Sequence, residues 1–245
     1  MIPFLVAAVA VYVLGPQINW WWYSTFPPRP NPTLQALMNL KIPEYPRLSP
    51  KQQQAFCHRV FMFKMGQDWT PIGFPENTLP AEVKTAISAQ AVRLCLHKKD
   101  FLFPKFEKVI VYPLPFPSPN FPPLHAGEIN REDGCILLSA RETLAAFANP
   151  TQYFNIALYE YAKIYCTTYP DDAATLTALQ VNHTMLEHCS QIHSAVIVRY
   201  TACANPSLEA LLIHHYFAFN PNLHRLYPTI CNTMDTIFKS QEKDR

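Results

Sequence analysis

Residues 154–163 read Phe154-Asn-Ile-Ala-Leu-Tyr-Glu-Tyr-Ala-Lys163. The stretch is mostly apolar, has no glycine or proline, and sits inside a helix expected over 152–167. At 3.6 residues per turn, Glu160 and Lys163 share one helical face and can pair. Lys163 can equally lay its stem over apolar surface and leave its ammonium in water.

The same positions fill the frame of a zinc-binding helix of the H-E-x-x-H type. There, two histidines four residues apart bind one Zn²⁺, and the glutamate beside the first activates the metal-bound water. Here Tyr159 and Lys163 stand at the histidine positions, and only the glutamate, Glu160, remains. A phenol ligates a metal only after losing a proton held with a pKa of about 10. A lysine is an ammonium near neutral pH and repels a cation.

Outward from this stretch the pattern is mainly helical. Ser49-Pro50-Lys51-Gln52 reads as an N-cap, a proline at the first helical position and a capping-box partner. A helix follows over about 80–96, with Val83, Ile87, Ala91 and Leu94 on one stripe. Further helices are expected over 140–147, 171–198, 206–218 and 221–239. Lys108–Tyr112 and Cys135–Ser139 read as short strands. Between them, residues 113–123 carry six prolines and form an extended loop. Two or three strands among many helices give an α+β fold, mainly helical with a small sheet.

The chain has 245 residues, 49% of them apolar, and a net charge of +2, so a sizeable core can form. Glycine is scarce at 5 and no Gly-rich phosphate loop occurs. No long basic run marks a nucleic-acid footprint. The seven cysteines are separated, with no CxxC pair, which fits reduced thiols better than a disulfide framework.

Ile2–Leu14 is an uninterrupted apolar run, followed by Trp20, Trp21, Trp22 and Tyr23. As a helix, Ile2 to Tyr23 would measure about 33 Å, just enough to span a bilayer with an aromatic belt at one end. Residues 1–23 are therefore expected as a membrane anchor helix. A cleaved signal peptide and an apolar arm packed on the domain are the alternatives. The first basic residues, Arg29, Lys41 and Arg47, follow the run, which favours a domain facing the cytoplasm. Residues 24–48, with Phe26-Pro-Pro-Arg-Pro-Asn-Pro32, read as a proline-rich linker, and 49–245 as one domain.

Several soft motifs recur in a fixed order: Leu79–Ala91 ending in Ser-Ala-Gln-Ala, Val109-Ile-Val-Tyr-Pro113, Gly127-Glu128 before Gly134-Cys-Ile-Leu-Leu-Ser139, Phe154-Asn155, Asn205-Pro206, His215-Tyr-Phe-Ala-Phe-Asn-Pro221 and Leu226-Tyr-Pro228. In this order and spacing the chain resembles the family of Mlc titration factor A, glucose-regulated zinc metallopeptidases. The resemblance implies a zincin-like domain. It places the family's histidine ligands on Tyr159 and Lys163, its catalytic glutamate on Glu160, and its third ligand on Leu208. A tyrosine held to assist the transition state falls on Thr201. Glu209 and Tyr200 lie one residue off register. A one-residue slip turns a helical side chain by about 100°.

With no ligand position retained, neither a metal nor another cofactor is expected. The expected function is non-catalytic: a membrane-tethered pseudopeptidase that binds a protein or peptide through the old cleft. The resemblance offers a precedent, since family members bind the glucose repressor Mlc, so a transcriptional regulator is the kind of partner it implies. Two alternatives stay open: an active peptidase with a metal site rebuilt from Glu160, Glu209 and histidines, or a structural subunit of a membrane complex.

Other candidates are weaker. His183, His188 and His193 step by five and drift around a helix, and the neighbours His214 and His215 point to different sides. Ser139, Ser190 and Ser207 lack a nucleophile elbow. Cys57 and His58 are only sequence neighbours. Asn182-His183-Thr184 matches a glycosylation acceptor only by pattern. The aromatic window from Phe101 to Phe121 is either core and loop packing or an exposed partner surface.

Overall fold

The computed structural model describes residues 14–239, Pro16 excepted. Four strands form one sheet: β1 (Asp68–Pro71), β2 (Lys108–Tyr112), β3 (Gly127–Asn130) and β4 (Cys135–Ser139), in the order β1-β2-β4-β3. β1, β2 and β4 run parallel, and β3 lies antiparallel at the edge, with Gly127 opposite Leu138 and Asn130 opposite Cys135. Val109, Val111, Ile136 and Leu138 alternate onto one face and are fully buried. Ile110 and Leu137 point to the other face and stay partly exposed, the period-two pattern of a half-covered sheet. The strands over 108–112 and 135–139 are those read from sequence. β1 and β3 are four residues each, too short for alternation to reveal.

The helices are α1 (Pro32–Lys41), α2 (Pro50–Gly66), α3 (Ala81–Leu94), α4 (Ala140–Ala148), α5 (Ile156–Thr168), α6 (Pro170–Ala178), α7 (His183–Ser190), α8 (Ser194–Thr201), α9 (Leu208–Ala218), α10 (Asn220–Leu226) and α11 (Pro228–Phe238). The capping box at α2 is formed: Ser49 Oγ accepts from Gln52 N, and Ser49 N donates to Gln52 Oε1 at 2.9 Å. α5 is the central element. It packs against α3, α9, β3 and β4, and all but Lys163 of residues 156–165 are buried.

Several expected boundaries are corrected. The helix expected over 171–198 is three helices. Gln180 and Gln191 have left-handed backbone, at φ 50° and 60°, and Asn182 caps the next helix by accepting from Met185 N at 3.0 Å. The helix expected over 221–239 divides at Tyr227, where Pro228 opens α11 and supplies no N–H to continue α10. The expected start at 152 moves to 156, because Asn155 accepts from Leu158 N at 3.0 Å as the N-cap. The stretch read as a linker is structured in part: α1 lies within it, and Met38, Ile42 and Tyr45 are buried in the core.

Most of the apolar run Ile2–Leu14 lies outside the described residues. Among the described residues no helix is long and apolar enough to cross a membrane. Residues 17–25 are helical and touch the domain through Tyr23, whose ring meets that of Phe61 at 5.2 Å. All seven cysteines are free thiols, five of them buried.

Candidate functional site

α5 carries Tyr159, Glu160 and Lys163 into the middle of the domain, because its apolar residues surround it with α3, α9 and the sheet. Its start is fixed from α9: Asn155 N donates to His214 Nε2 at 3.0 Å, and Phe154 stacks on that ring with centroids 4.5 Å apart. Burial holds the His214 pKa well below its ordinary value, so the ring is neutral and can accept.

Glu160 is completely buried, and its Oε2 accepts from Lys163 Nζ at 2.7 Å. Its Oε1 has no hydrogen-bond partner among the described residues. Burial raises the pKa of this carboxyl; the Lys163 charge and hydrogen bond oppose the rise without cancelling it. The ammonium of Lys163 also lies 5.5 Å from the centre of the Tyr159 ring. Of the two readings left open for Lys163, the ion pair is the one formed, although a quarter of its side chain still reaches solvent.

Tyr159 is buried, and its hydroxyl accepts from Ser207 N at 3.0 Å. Burial, then the nearby Glu160 charge, push the phenol far above its ordinary pKa, so it stays protonated. This hydrogen bond joins α5 directly to the N-cap of α9. Leu208, the first residue of α9, is half-buried against the core. Thr201 is buried and engaged locally, its Oγ1 donating to Ile197 O at 2.9 Å and accepting from Cys203 N at 3.2 Å.

The two off-register residues are committed elsewhere. Glu209 accepts from Thr177 Oγ1 at 2.9 Å and from Ser207 Oγ at 3.0 Å. Burial pushes its pKa up, but these bonds and its own backbone N–H outweigh that and hold it below the ordinary value. Tyr200 donates its hydroxyl to Glu142 Oε2 at 3.0 Å. Thus Glu160 and Glu209 belong to separate hydrogen-bond sets. Among the described residues no three His, Cys, Asp or Glu side chains form a group that could hold a metal ion.

The donor set at Tyr159, Lys163 and Leu208 therefore does not fit zinc. It offers a protonated phenol already used as an acceptor, an ammonium tied to the one carboxylate, and an aliphatic chain.

Sequence reasoning missed a second buried pair beside the first. His125 and Glu128 are buried, with Nε2 to Oε2 at 3.3 Å. His125 Nδ1 donates to Pro123 O at 2.9 Å, which fixes the orientation of the ring. Asn120 Nδ2 donates to the other oxygen of Glu128 at 3.3 Å. Gly127 brings this strand against α5 so closely that a Cβ there would lie 2.4 Å from Ile156 Cγ1 and 3.1 Å from Glu160 Cγ. The usable signal was Gly127-Glu128 itself, one of the motifs that carry the family resemblance, where a glycine permits close approach of the backbone. The aromatic window packs inward in part: Phe103, Phe106 and Phe116 are buried, while Phe101, Tyr112 and Phe121 are half-buried.

A family model described as glucose-regulated metallo-peptidase M90 matches residues 20–164, more than half of the chain. The matched stretch includes Tyr159, Glu160 and Lys163 and ends before Thr201 and Leu208. An uncharacterized protein of Synechocystis sp. is 32% identical over 82 residues, which is 34% of this chain and 29% of that protein.

Proposed function

The chain belongs to the glucose-regulated metallo-peptidase M90 family, and on that premise we propose that it is a non-catalytic member, tethered to a membrane and acting by binding a protein or peptide. The observation that carries this reading is the state of Glu160. A glutamate that activates water must reach that water as a free carboxylate. Glu160 has no solvent-exposed surface, and one of its two oxygens is tied to Lys163 at 2.7 Å. Tyr159 and Leu208 add no metal donor to its surroundings.

The resemblance to the Mlc titration factor A family, whose members bind the glucose repressor Mlc, makes a transcriptional regulator the partner class to test first. The tether rests on the apolar run from Ile2 to Leu14, and a cytoplasmic face rests on Arg29, Lys41 and Arg47 following that run. Elemental analysis of the purified chain tests the catalytic half of the reading. The expected result is no stoichiometric zinc and no chelator-sensitive peptidase activity. One tightly held zinc per chain, with such activity, would overturn it.

A further inference from the structure

The helical stretch over residues 17–25 has two unlike faces. One is seated on the domain. The Tyr23 ring meets Phe61 edge-on, and Tyr23 O lies 3.0 Å from His58 Nε2. The Trp20 ring covers Gly66 so closely that a Cβ there would come within 3.1 Å of it.

The other face is open among the described residues. Leu14, Ile18, Trp21, Trp22 and Phe26 are each 50–58% exposed. The steps from Ile18 to Trp21 and Trp22 keep these side chains on one arc of the helix. Phe26 joins them through its rings, centred 4.7 Å from Trp22 and 6.3 Å from Trp21. A contiguous patch of large apolar side chains is not what a water-facing surface ordinarily leaves open. The chain carries no Asp or Glu before Glu44, and its first charged side chain is Arg29. The patch also continues directly from the apolar run that ends at Leu14.

We propose that this face lies in the headgroup and upper acyl region of a lipid bilayer, with the domain seated directly beneath it through Trp20 and Tyr23. Tryptophan and phenylalanine on one side of a helix that itself carries no carboxylate suit that region. The inference rests on the tether reading and adds to it. Of the aromatic belt expected at residues 20–23, Trp21 and Trp22 would meet the lipid, while Trp20 and Tyr23 seat the helix on the domain.

The test uses the intact chain and phosphatidylcholine vesicles containing brominated phosphatidylcholine, which quenches nearby tryptophans. The chain has four tryptophans, at 20, 21, 22 and 69, so emission reports mainly this helix. The expected result is co-flotation with vesicles and strong quenching. In Trp21→Ser with Trp22→Ser, co-flotation should persist through the apolar run while more than half of the quenching is lost. Co-flotation without quenching, or equal quenching in the variant, would overturn the aromatic contact and leave the tether standing. No co-flotation of the intact chain would overturn the tether itself. Self-association in detergent that the same double change abolishes, without lipid quenching, would make a second copy of this chain the occupant and also overturn the proposal.

Discussion

Glu160 and Lys163 lie three residues apart on α5, joined at 2.7 Å, the first side chain wholly buried and the second a quarter exposed. Removing one member of such a pair leaves the other charge without compensation, whereas removing both does not. Lys163→Ala is therefore expected to destabilise the domain by about 1–3 kcal/mol, above the ~0.2–1 of an exposed pair. Glu160→Gln combined with Lys163→Ala should cost less than the sum of the single changes. Urea melts of the four proteins measure this, and a neutral Lys163→Ala would remove the pair from the account.

The same carboxyl sets a pH dependence. Folding raises the pKa of Glu160 through burial, so between the ordinary value and the raised one the folded state holds a proton that the unfolded chain releases. Its contribution is fully present below the ordinary carboxyl value and is lost as pH rises through the folded one. Relative to Glu160→Gln, the native chain should thus lose stability as pH rises from the carboxyl range toward neutrality. The cost of Lys163→Ala should shrink toward acid pH, where Glu160 becomes neutral. Equilibrium unfolding across that range checks both signs.

Restoring the two histidines alone should not restore chemistry. Tyr159→His with Lys163→His frees Glu160 and supplies two nitrogens, but Leu208 still offers no third donor. The expected outcome is weak zinc uptake in titration calorimetry and no peptide hydrolysis. The change also removes the acceptor for Ser207 N, so a loss of about 1–2 kcal/mol in stability should accompany it. Hydrolysis by the double variant would show that another residue, Glu209 first, can complete a site.

Gly127→Ala tests how tightly β3 is pressed onto α5. The added methyl would meet Ile156 Cγ1 at 2.4 Å and Glu160 Cγ at 3.1 Å. Overpacking of this kind costs about 1–3 kcal/mol. Ile156→Ala removes the closer obstacle, so the double variant should be more stable than the sum of the single losses implies. Additive losses would show that the strand is not held there by this contact.

Much of this was legible from local signals, and the misses have physical causes. The capping box at Ser49 and the strands over 108–112 and 135–139 were readable because each is a short-range pattern. The mainly helical α+β class and the family followed from the order of such patterns. The breaks at Gln180 and Gln191 were not readable, since glutamine carries no turn signal and yet both take a left-handed backbone there. At the site, the Glu160–Lys163 spacing announced a possible pair. Which use Lys163 makes of its charge depended on burial, which spacing does not encode. The His125–Glu128 pair closes only when the proline-rich loop returns across the sheet edge, where Phe116 and His125 bridge. Ser207 reaching Tyr159 joins residues 48 apart, beyond any local pattern.

Because nine of the ten residues from Ile156 to Tyr165 are buried, genetic damage in this helix would be felt first as loss of protein. A substitution there that lowers stability by one or two kcal/mol can lower cellular abundance severalfold. A null phenotype from such a change would therefore report a shortage of folded chains. It could not be read as loss of an activity until the amount of protein in the cell had been measured.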